Sequence, residues 1–305
     1  MTQTRLSLVQ RRLLDTHMDI LATPPDELSF LHTVSCQCAL PARRPPPGVT
    51  VWQRQQGRAA LLVEAGKAWH PVKKAFVQLP LPFGPKARLV LMHLNTEAIR
   101  SRSPVVEVER SLTAFARRLL QGNDPNGREI RAIKEQLSAL STATIRLAVD
   151  AGDAATQINT QIVGALDLWP DDEDARQRVL WPATVRLSTD YFESLARHAV
   201  PLDERAVAAL AHSATALDIY AWLAQRLHRI PPGRPQFVPW PALHEQFGQG
   251  FARLRAFREH FLEVLRQVAS QYPEAKVAAD RQTGLTLAAS PPPVLKRFVS
   301  LISPG

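Results

Sequence analysis

The sequence predicts an α+β protein with two tandem winged-helix domains, preceded by an N-terminal helical and β-hairpin extension. First, the same order of elements (helix, short strand, helix, turn, helix, strand pair) can be identified twice along the chain. Second, 305 residues suffice for two domains of ordinary size. Third, 45% hydrophobic and 21% charged residues are typical of a globular protein and exclude disorder over most of the chain. The predicted domains are residues 1–48 (extension and proline-rich linker), 49–198 and 199–305.

The N-terminal extension is predicted from an apolar pattern followed by prolines. Leu6, Val9, Leu13 and Leu14 have the spacing of one helix face. Residues 41–48 (PARRPPPG) break regular structure and indicate a linker or surface loop. The segments 49–53 and 59–63, on either side of a Gln-Gln-Gly turn, then predict a β-hairpin.

The elements of the two domains follow in the same order. In the first domain, helices are predicted from Pro85, from Ser111 and after the polar loop 121–127, with strands at 105–108, 144–149, 157–166 and 179–187. In the second, helices are predicted at 214–227, 241–247 and 251–270, with strands at 236–238, 276–279 and 285–288. Residues 280–284 form the predicted wing tip. The third helix of each domain is the candidate recognition helix, because that helix enters the major groove in this class of fold.

The charge of the chain predicts an acidic partner. Lys and Arg number 37 against 28 Asp and Glu, which gives a net charge of +9. Such a balance indicates nucleic acid, a membrane surface or an acidic protein as partner, and the planar guanidinium of arginine suits phosphates and guanine edges. No run of about eighteen apolar residues occurs, and charged residues interrupt the start of the chain. We therefore expect a cytoplasmic protein that does not enter a membrane.

The third helix of the second domain has one apolar face and one arginine-rich face. At 100° per residue, Leu254, Phe257 and Phe261 fall on the face to be buried. The opposite face combines small residues with arginines, as a helix entering a major groove requires. DNA contacts are therefore predicted for Arg253, Arg255, Arg258, Glu259 and Arg266. Arg255 would bind guanine and Glu259 a cytosine amine; the alternative is an ordinary surface helix of mixed charge.

Further DNA contacts are predicted outside this helix. Arg128, Arg131 and Lys134 lie on or beside the outer face of the third helix of the first domain, where they either contact DNA or are only solvated. Lys276 and Arg281 belong to the wing of the second domain, where contact with the DNA backbone or minor groove is usual. A solvated β-turn is the alternative for these two residues.

Signatures of catalysis, cofactors and metals are missing from the sequence. Gly66 and Lys67 are followed by Ala68, so the phosphate-binding loop of ATPases is not formed. No His-x-His pair occurs, so the metal-dependent chemistry of rolling-circle nickases is unsupported. His32, Cys36 and Cys38 lack an evident fourth ligand for a metal site and are expected to be structural. We therefore expect no catalytic residue, no cofactor and no metal.

Several stretches of the sequence resemble the plasmid-encoded RepA replication initiators. They are LHTVSCQC (31–38), ALLVEAG (60–66), LPLPFG (79–84), ARLVL (87–91), TEAI (96–99), LDIYAWL (217–223), VPW (238–240) and YPEA (272–275). The resemblance implies a protein that binds repeated double-stranded sites at a plasmid origin and helps to open the duplex. It also implies recruitment of the host replication initiator and replicative helicase machinery, and exchange between a homodimer and a monomer.

The expected function is therefore DNA binding without catalysis. The main alternative is a winged-helix transcriptional repressor with no initiation role, which needs the same specific binding. Two further hypotheses are a nicking or helicase enzyme and a winged helix that binds only protein.

Overall fold

The structure is a computed structural model that describes residues 6–70, 73–107, 109, 111–121, 124–150, 155–161 and 184–295. It mixes helices and strands, in agreement with the predicted α+β class. The chain forms two compact units, one of Cys38–Ala199 and one that joins Met1–Gln37 to Val200–Gly305. Within the described ranges, every helix is too short or too polar to cross a membrane.

The helices of the described residues are α1 Leu8–Ala22, α2 Thr33–Gln37, α3 Gly84–Ser101, α4 Leu112–Leu119, α5 Gly127–Thr142, α6 Thr189–His198, α7 Glu204–Leu210, α8 Ala214–Arg226, α9 Trp240–Phe247 and α10 Leu254–Gln271. The strands are β1 Leu28–His32, β2 Val51–Gln56, β3 Ala59–Glu64, β4 Lys67–His70, β5 Ala75–Gln78, β6 Val105–Glu107, β7 Thr144–Asp150, β8 Ala155–Gln161, β9 Thr184–Arg186, β10 Ala199–Asp203, β11 Gln236–Pro239, β12 Val277–Asp280 and β13 Gly284–Leu287.

A four-stranded antiparallel sheet, in the order β2-β3-β7-β8, forms part of the unit Cys38–Ala199. Its inner face is made by alternate residues such as Leu61, Val63, Ile145 and Leu147, which are buried. The predicted hairpin at 49–63 therefore joins the later strand pair in one sheet. The short strand β6 is not part of this sheet and pairs with β9. Strand β9 lies within the predicted strand 179–187. Residues 162–166 and 179–183 of the predicted strands lie outside the described residues.

The proline-rich segment is anchored at its first residues to α3. The buried Arg88 side chain donates to the carbonyl oxygens of Leu40 at 2.7 Å, Pro41 at 3.1 Å and Gly84 at 2.8 Å. The Gly84 amide also donates to the Pro41 carbonyl. A buried guanidinium needs several acceptors, and the carbonyl of Pro41, at the start of the predicted linker, is one of them. The start of the linker is therefore part of the unit Cys38–Ala199.

The N-terminal segment belongs to the same unit as the C-terminal part of the chain, which differs from the predicted separate extension of residues 1–48. His17 Nδ1 lies 2.6 Å from the Ser270 carbonyl oxygen, and Gln271 donates from Nε2 to the Leu13 carbonyl at 2.9 Å. Strand β1 pairs with β10. Helix α1 begins with a capping box between Ser7 and Gln10.

The C-terminal part of this unit follows the order α8, β11, α9, α10, β12, β13. Its three strands form an antiparallel sheet in the order β11-β13-β12. Helix α8 is almost entirely buried, and Trp222 packs edge-on against Phe247 of α9 with ring centroids 5.4 Å apart. Helix α10 begins at Leu254, three residues later than predicted, because residues 248–253 form the turn between α9 and α10.

Candidate nucleic-acid interface

An aromatic cluster fixes the orientation of α10. Phe257 and Phe261 of α10 are fully buried. The Phe261 ring centroid lies 5.8 Å from that of Trp240 and 5.7 Å from that of Phe247, at the two ends of α9. Such contacts combine apolar burial with edge-to-face attraction. The face of α10 opposite these rings is therefore held toward solvent.

The exposed face of α10 carries most of the predicted contact residues of this helix. Arg253, Arg255, Glu259 and Arg266 are exposed, and Arg258 is half-buried. The side chains of Arg255 and Glu259 are 83% and 65% exposed and form an ion pair of 3.1 Å between Nε and Oε1. Because a guanidinium has five N–H donors, this pair leaves donors of Arg255 for a base edge or phosphate.

The hairpin of β12 and β13 presents Arg281 at a tightly bonded tip. Asp280 Oδ1 accepts hydrogen bonds from the backbone amides of Gln282 and Thr283, both at 2.7 Å. These bonds, with that from Thr283 the larger cause, lower the pKa of the Asp280 carboxyl below its ordinary value. Trp240 Nε1 donates to the Asp280 carbonyl oxygen at 2.9 Å, which ties the tip to α9. The exposed Arg281 is thus held on a defined turn.

Lys276 lies at the other end of the hairpin. Its amide donates to Ser290 Oγ at 2.9 Å, and its carbonyl accepts from the Ala288 amide at 2.9 Å. The Lys276 side chain is exposed. The hairpin, α9 and α10 are packed together in one unit. This unit contains Lys276, Arg281 and the predicted contact residues of α10.

Helix α5 carries the predicted contact residues of the other unit. Ile133 and Leu137 are buried, whereas Arg128 and Arg131 are exposed and Lys134 is half-buried. Acidic residues on the helix are occupied by other cations: Glu129 lies 3.6 Å from the Lys86 ammonium, and Glu135 pairs with Arg44. The outer face of α5 consequently offers Arg128 and Arg131 as exposed cations.

The residues considered for a metal site are buried. His32, Cys36 and Cys38 are buried, and Cys36 and Cys38 belong to different units. Burial raises the pKa of both thiols, that of Cys38 to about 11, so both are protonated at neutral pH. In the described part of the chain, no three His, Cys, Asp or Glu residues are grouped in a way that could hold a metal ion.

One exposed feature is not predicted from the sequence. The hairpin of β4 and β5 exposes Trp69 and Phe76, which are 51% and 68% accessible. Each strand has only four residues, so its alternation is too short to be distinguished from loop sequence. The charge pattern does distinguish this segment in the sequence, because residues 65–96 contain no Asp or Glu.

Comparison with known proteins gives one family match. The family model described as "Plasmid encoded RepA protein" matches residues 81–240, more than half of the chain. This match includes α5 and ends at Trp240, the first residue of α9. No curated protein sequence matches the chain.

The solved structures that match the chain include two of RctB. They are a crystal structure of SeMet derivatives of domains 2 and 3 of RctB and a crystal structure of RctB domains 2–3. Their TM-scores are 0.48 and 0.47, each at 10% sequence identity. The similarity covers 83% and 82% of this chain, and 96% and 85% of the two RctB chains.

Proposed function

The chain belongs to the family of plasmid-encoded RepA proteins, and from this premise we propose that it initiates plasmid replication by binding repeated duplex sites at an origin. The observation that carries the binding mode is the α10 face, where Arg255 and Arg266 are exposed opposite a buried aromatic core, with Arg253 exposed at the N-cap of the helix. Phosphate neutralisation by such arginines supplies affinity, and contacts to base edges supply sequence preference.

We further propose that residues 214–287 form a winged helix with α10 as the recognition helix. The element order and the antiparallel sheet β11-β13-β12 support this assignment. In the other unit, α3, β6, α4, α5, β7 and β8 follow the same order, but β6 pairs with β9 rather than with the β7–β8 hairpin. We assign that unit as a variant of the same module.

Each contact residue then has a proposed role. Arg255 binds a guanine edge and Glu259 a cytosine amine, while Arg253, Arg258 and Arg266 contact phosphates. Arg281 and Lys276 contact the DNA backbone or the minor groove beside it. In the other unit, Arg128, Arg131 and Lys134 position the protein on phosphates.

The proposal extends to what the protein does after binding. It acts in the cytoplasm without a catalytic step, promotes opening of the origin and recruits the host initiator and helicase machinery. Exchange between a homodimer and a monomer would separate repression from initiation. The exposed basic residues of both units support DNA binding, and the family membership supports initiation.

Footprinting on the DNA beside the gene tests the binding mode. Arg255→Ala should weaken binding to the specific site by about ten- to 100-fold and relax its base preference. The matched control is Arg197→Ala: Arg197 is exposed on α6 and donates from Nε to the Glu193 carbonyl one turn earlier. Equal footprints for the two variants would contradict the assigned recognition helix.

Two further assays separate an initiator from a repressor and from an enzyme. A plasmid that carries this gene and its upstream repeats as its only replication functions should be maintained if the protein is an initiator, and lost if it is only a repressor. Purified protein should neither nick DNA nor hydrolyse nucleotides, and detection of either activity would overturn the non-catalytic assignment.

A further inference from the structure

The β4–β5 hairpin displays two aromatic rings side by side in solvent. Trp69 and Phe76 are directly opposite each other in the antiparallel register. Their ring centroids are 5.4 Å apart with an interplanar angle of 70°. With 51% and 68% of their surfaces accessible, these rings keep large apolar faces in water. Contiguous exposed apolar surface that is rimmed by polar residues is typical of a binding site.

The surroundings of the ring pair are cationic. Lys67, Lys73 and Lys74 are exposed on the same hairpin. Lys74 has a φ of 47°, and the Lys73 amide donates to His70 Nδ1 at 3.3 Å. No Asp or Glu occurs anywhere in residues 65–96. The charge around the rings is therefore complementary to a polyanion.

We propose that this hairpin binds single-stranded DNA, with an unpaired base stacked on Trp69 or Phe76 and adjacent phosphates paired with Lys67, Lys73 and Lys74. Stacking on aromatic rings beside cations is the usual way in which proteins hold unpaired strands without sequence preference. Bases inside a duplex are stacked on one another and do not offer their faces, so the hairpin selects unpaired DNA.

The site is distinct from the surface proposed for duplex recognition. Helix α10 belongs to the other unit, and its predicted contacts are hydrogen bonds and ion pairs rather than ring stacking. The proposal depends on the initiator role only for the source of the unpaired strand, which origin opening would supply. Binding of a single strand by the hairpin can be measured independently of that role.

The test uses the full chain and a fluorescein-labelled twenty-nucleotide thymidine oligomer as probe. The double variant Trp69→Ala/Phe76→Ala should bind the oligomer at least about tenfold more weakly than the wild type. Trp69→Phe should retain most of the affinity, because a ring remains available for stacking. The matched control is Phe237→Ala, which removes a ring of 56% exposure on β11 and should leave oligomer binding unchanged.

The lysines are tested by salt dependence. Lys73→Ala/Lys74→Ala should reduce the slope of log affinity against log salt by about 0.7 for each phosphate that the variant no longer neutralises. This variant keeps both rings, so it tests the site even if the aromatic double variant folds poorly.

Separate readouts distinguish this proposal from that for α10. The aromatic double variant should give a normal footprint on duplex DNA, whereas Arg255→Ala should bind the thymidine oligomer normally. If no sequence-specific footprint is found but oligomer binding depends on the hairpin rings, the duplex proposal fails and the hairpin site stands. Unchanged oligomer binding by the aromatic variant would overturn the proposal. So would a change confined to self-association in sedimentation, because it would show that the rings bind protein.

Discussion

Arg255 and Glu259 form an ion pair across one turn of α10, with Nε 3.1 Å from Oε1, on the face that we assign to DNA. Both side chains are largely exposed, and exposed pairs contribute only about 0–1 kcal/mol to stability. The basic residue precedes the acidic one, which is the less favourable order relative to the helix dipole. The pair is therefore easily opened, and a guanine or phosphate can replace Glu259 as the partner of Arg255.

Glu259→Gln should increase the affinity for non-specific duplex DNA by about three- to tenfold, because it removes one negative charge near the phosphates and frees Arg255. Thermal stability should change by no more than about 1 kcal/mol. Titration of random-sequence and specific duplexes at two salt concentrations measures the effect. Glu263→Gln, one turn further along the exposed face, is the control: it should raise affinity for all sequences without altering base preference. Identical behaviour of the two variants would exclude a base-reading role for Glu259.

The helices of this protein can be predicted from the sequence because their signals are local. The apolar positions of α10 recur with the period of a helix, and the predicted burial of Phe257 and Phe261 is confirmed, whereas Leu254, predicted on the same face, is 39% exposed at the first residue of the helix. The same pattern predicts which arginines are exposed. The capping residue Ser111 and the polar loop 121–127 mark the starts of α4 and α5 within one or two residues.

The strand pairings cannot be predicted in the same way, because they join distant segments. The partners in β3 and β7 are 80 to 90 residues apart in sequence, and β1 pairs with β10, about 170 residues further along the chain. The local sequence of a strand does not indicate which distant strand it pairs with. Local patterns alone therefore predict a separate N-terminal extension. The Arg255–Glu259 ion pair is likewise not predicted, since the sequence pattern assigns each residue to a base separately.

Arg131→Ala should weaken binding to specific and random duplexes to the same extent, because an exposed arginine on α5 is assigned to phosphates. The salt dependence of log affinity should fall by about one unit of slope. Filter binding at several salt concentrations measures both quantities. Arg197→Ala, an exposed arginine on α6 of the same unit, should leave the slope unchanged. A loss restricted to the specific site would instead assign base contacts to α5.

Asp280→Ala should destabilise the hairpin tip at neutral pH and lower affinity for duplex DNA through Arg281. The pKa of Asp280 is lowered in the folded state, so its carboxylate stabilises the fold above its ordinary pKa of 3.8, and this contribution is lost as pH falls through the lower folded value. The difference in melting temperature between wild type and variant should therefore be constant from pH 7 to 5 and decline below pH 4. Asp280→Asn keeps an acceptor for both amides and should retain the neutral-pH stability and the affinity. If the difference in melting temperature between wild type and Asp280→Ala grew on acidification, the assigned role of the Asp280 carboxylate in the turn would be wrong.

His93 should make the protein sensitive to mild acid. Burial, together with the charges of Arg118 and Arg100, lowers the pKa of His93 to about 4 from an ordinary value of 6.5, and its ring packs edge-on against Phe115. The unfolded chain then binds a proton below pH 6.5 that the folded chain does not, so stability falls from pH 6.5 to 4 by about 3 kcal/mol. Urea unfolding of His93→Gln should show a smaller loss over this interval, whatever its stability at pH 7. Parallel curves for wild type and variant would show that His93 titrates normally.

Gly284→Ala should displace the wing hairpin. A Cβ atom at residue 284 would overlap the carbonyl oxygen of Val238, in the neighbouring strand β11, and lie 2.8 Å from the Cα of Pro239. Because both obstacles are backbone atoms, β13 must move away from β11, and we expect a loss of about 1–3 kcal/mol in the free energy of unfolding. The same movement shifts the bond between Trp240 and the Asp280 carbonyl, so duplex affinity should fall even at temperatures where the variant is folded.

The control for Gly284 is Gly127→Ala at the first turn of α5. There a Cβ atom meets nothing within 4 Å, and alanine favours a helix over glycine, so stability should stay the same or rise by up to about 1 kcal/mol. Thermal and urea unfolding compare the two variants, and duplex titration well below the lower of the two melting temperatures compares their binding. If Gly284→Ala bound duplex DNA like Gly127→Ala under those conditions, the hairpin would have no part in DNA binding, and Lys276 and Arg281 would be ordinary solvated residues.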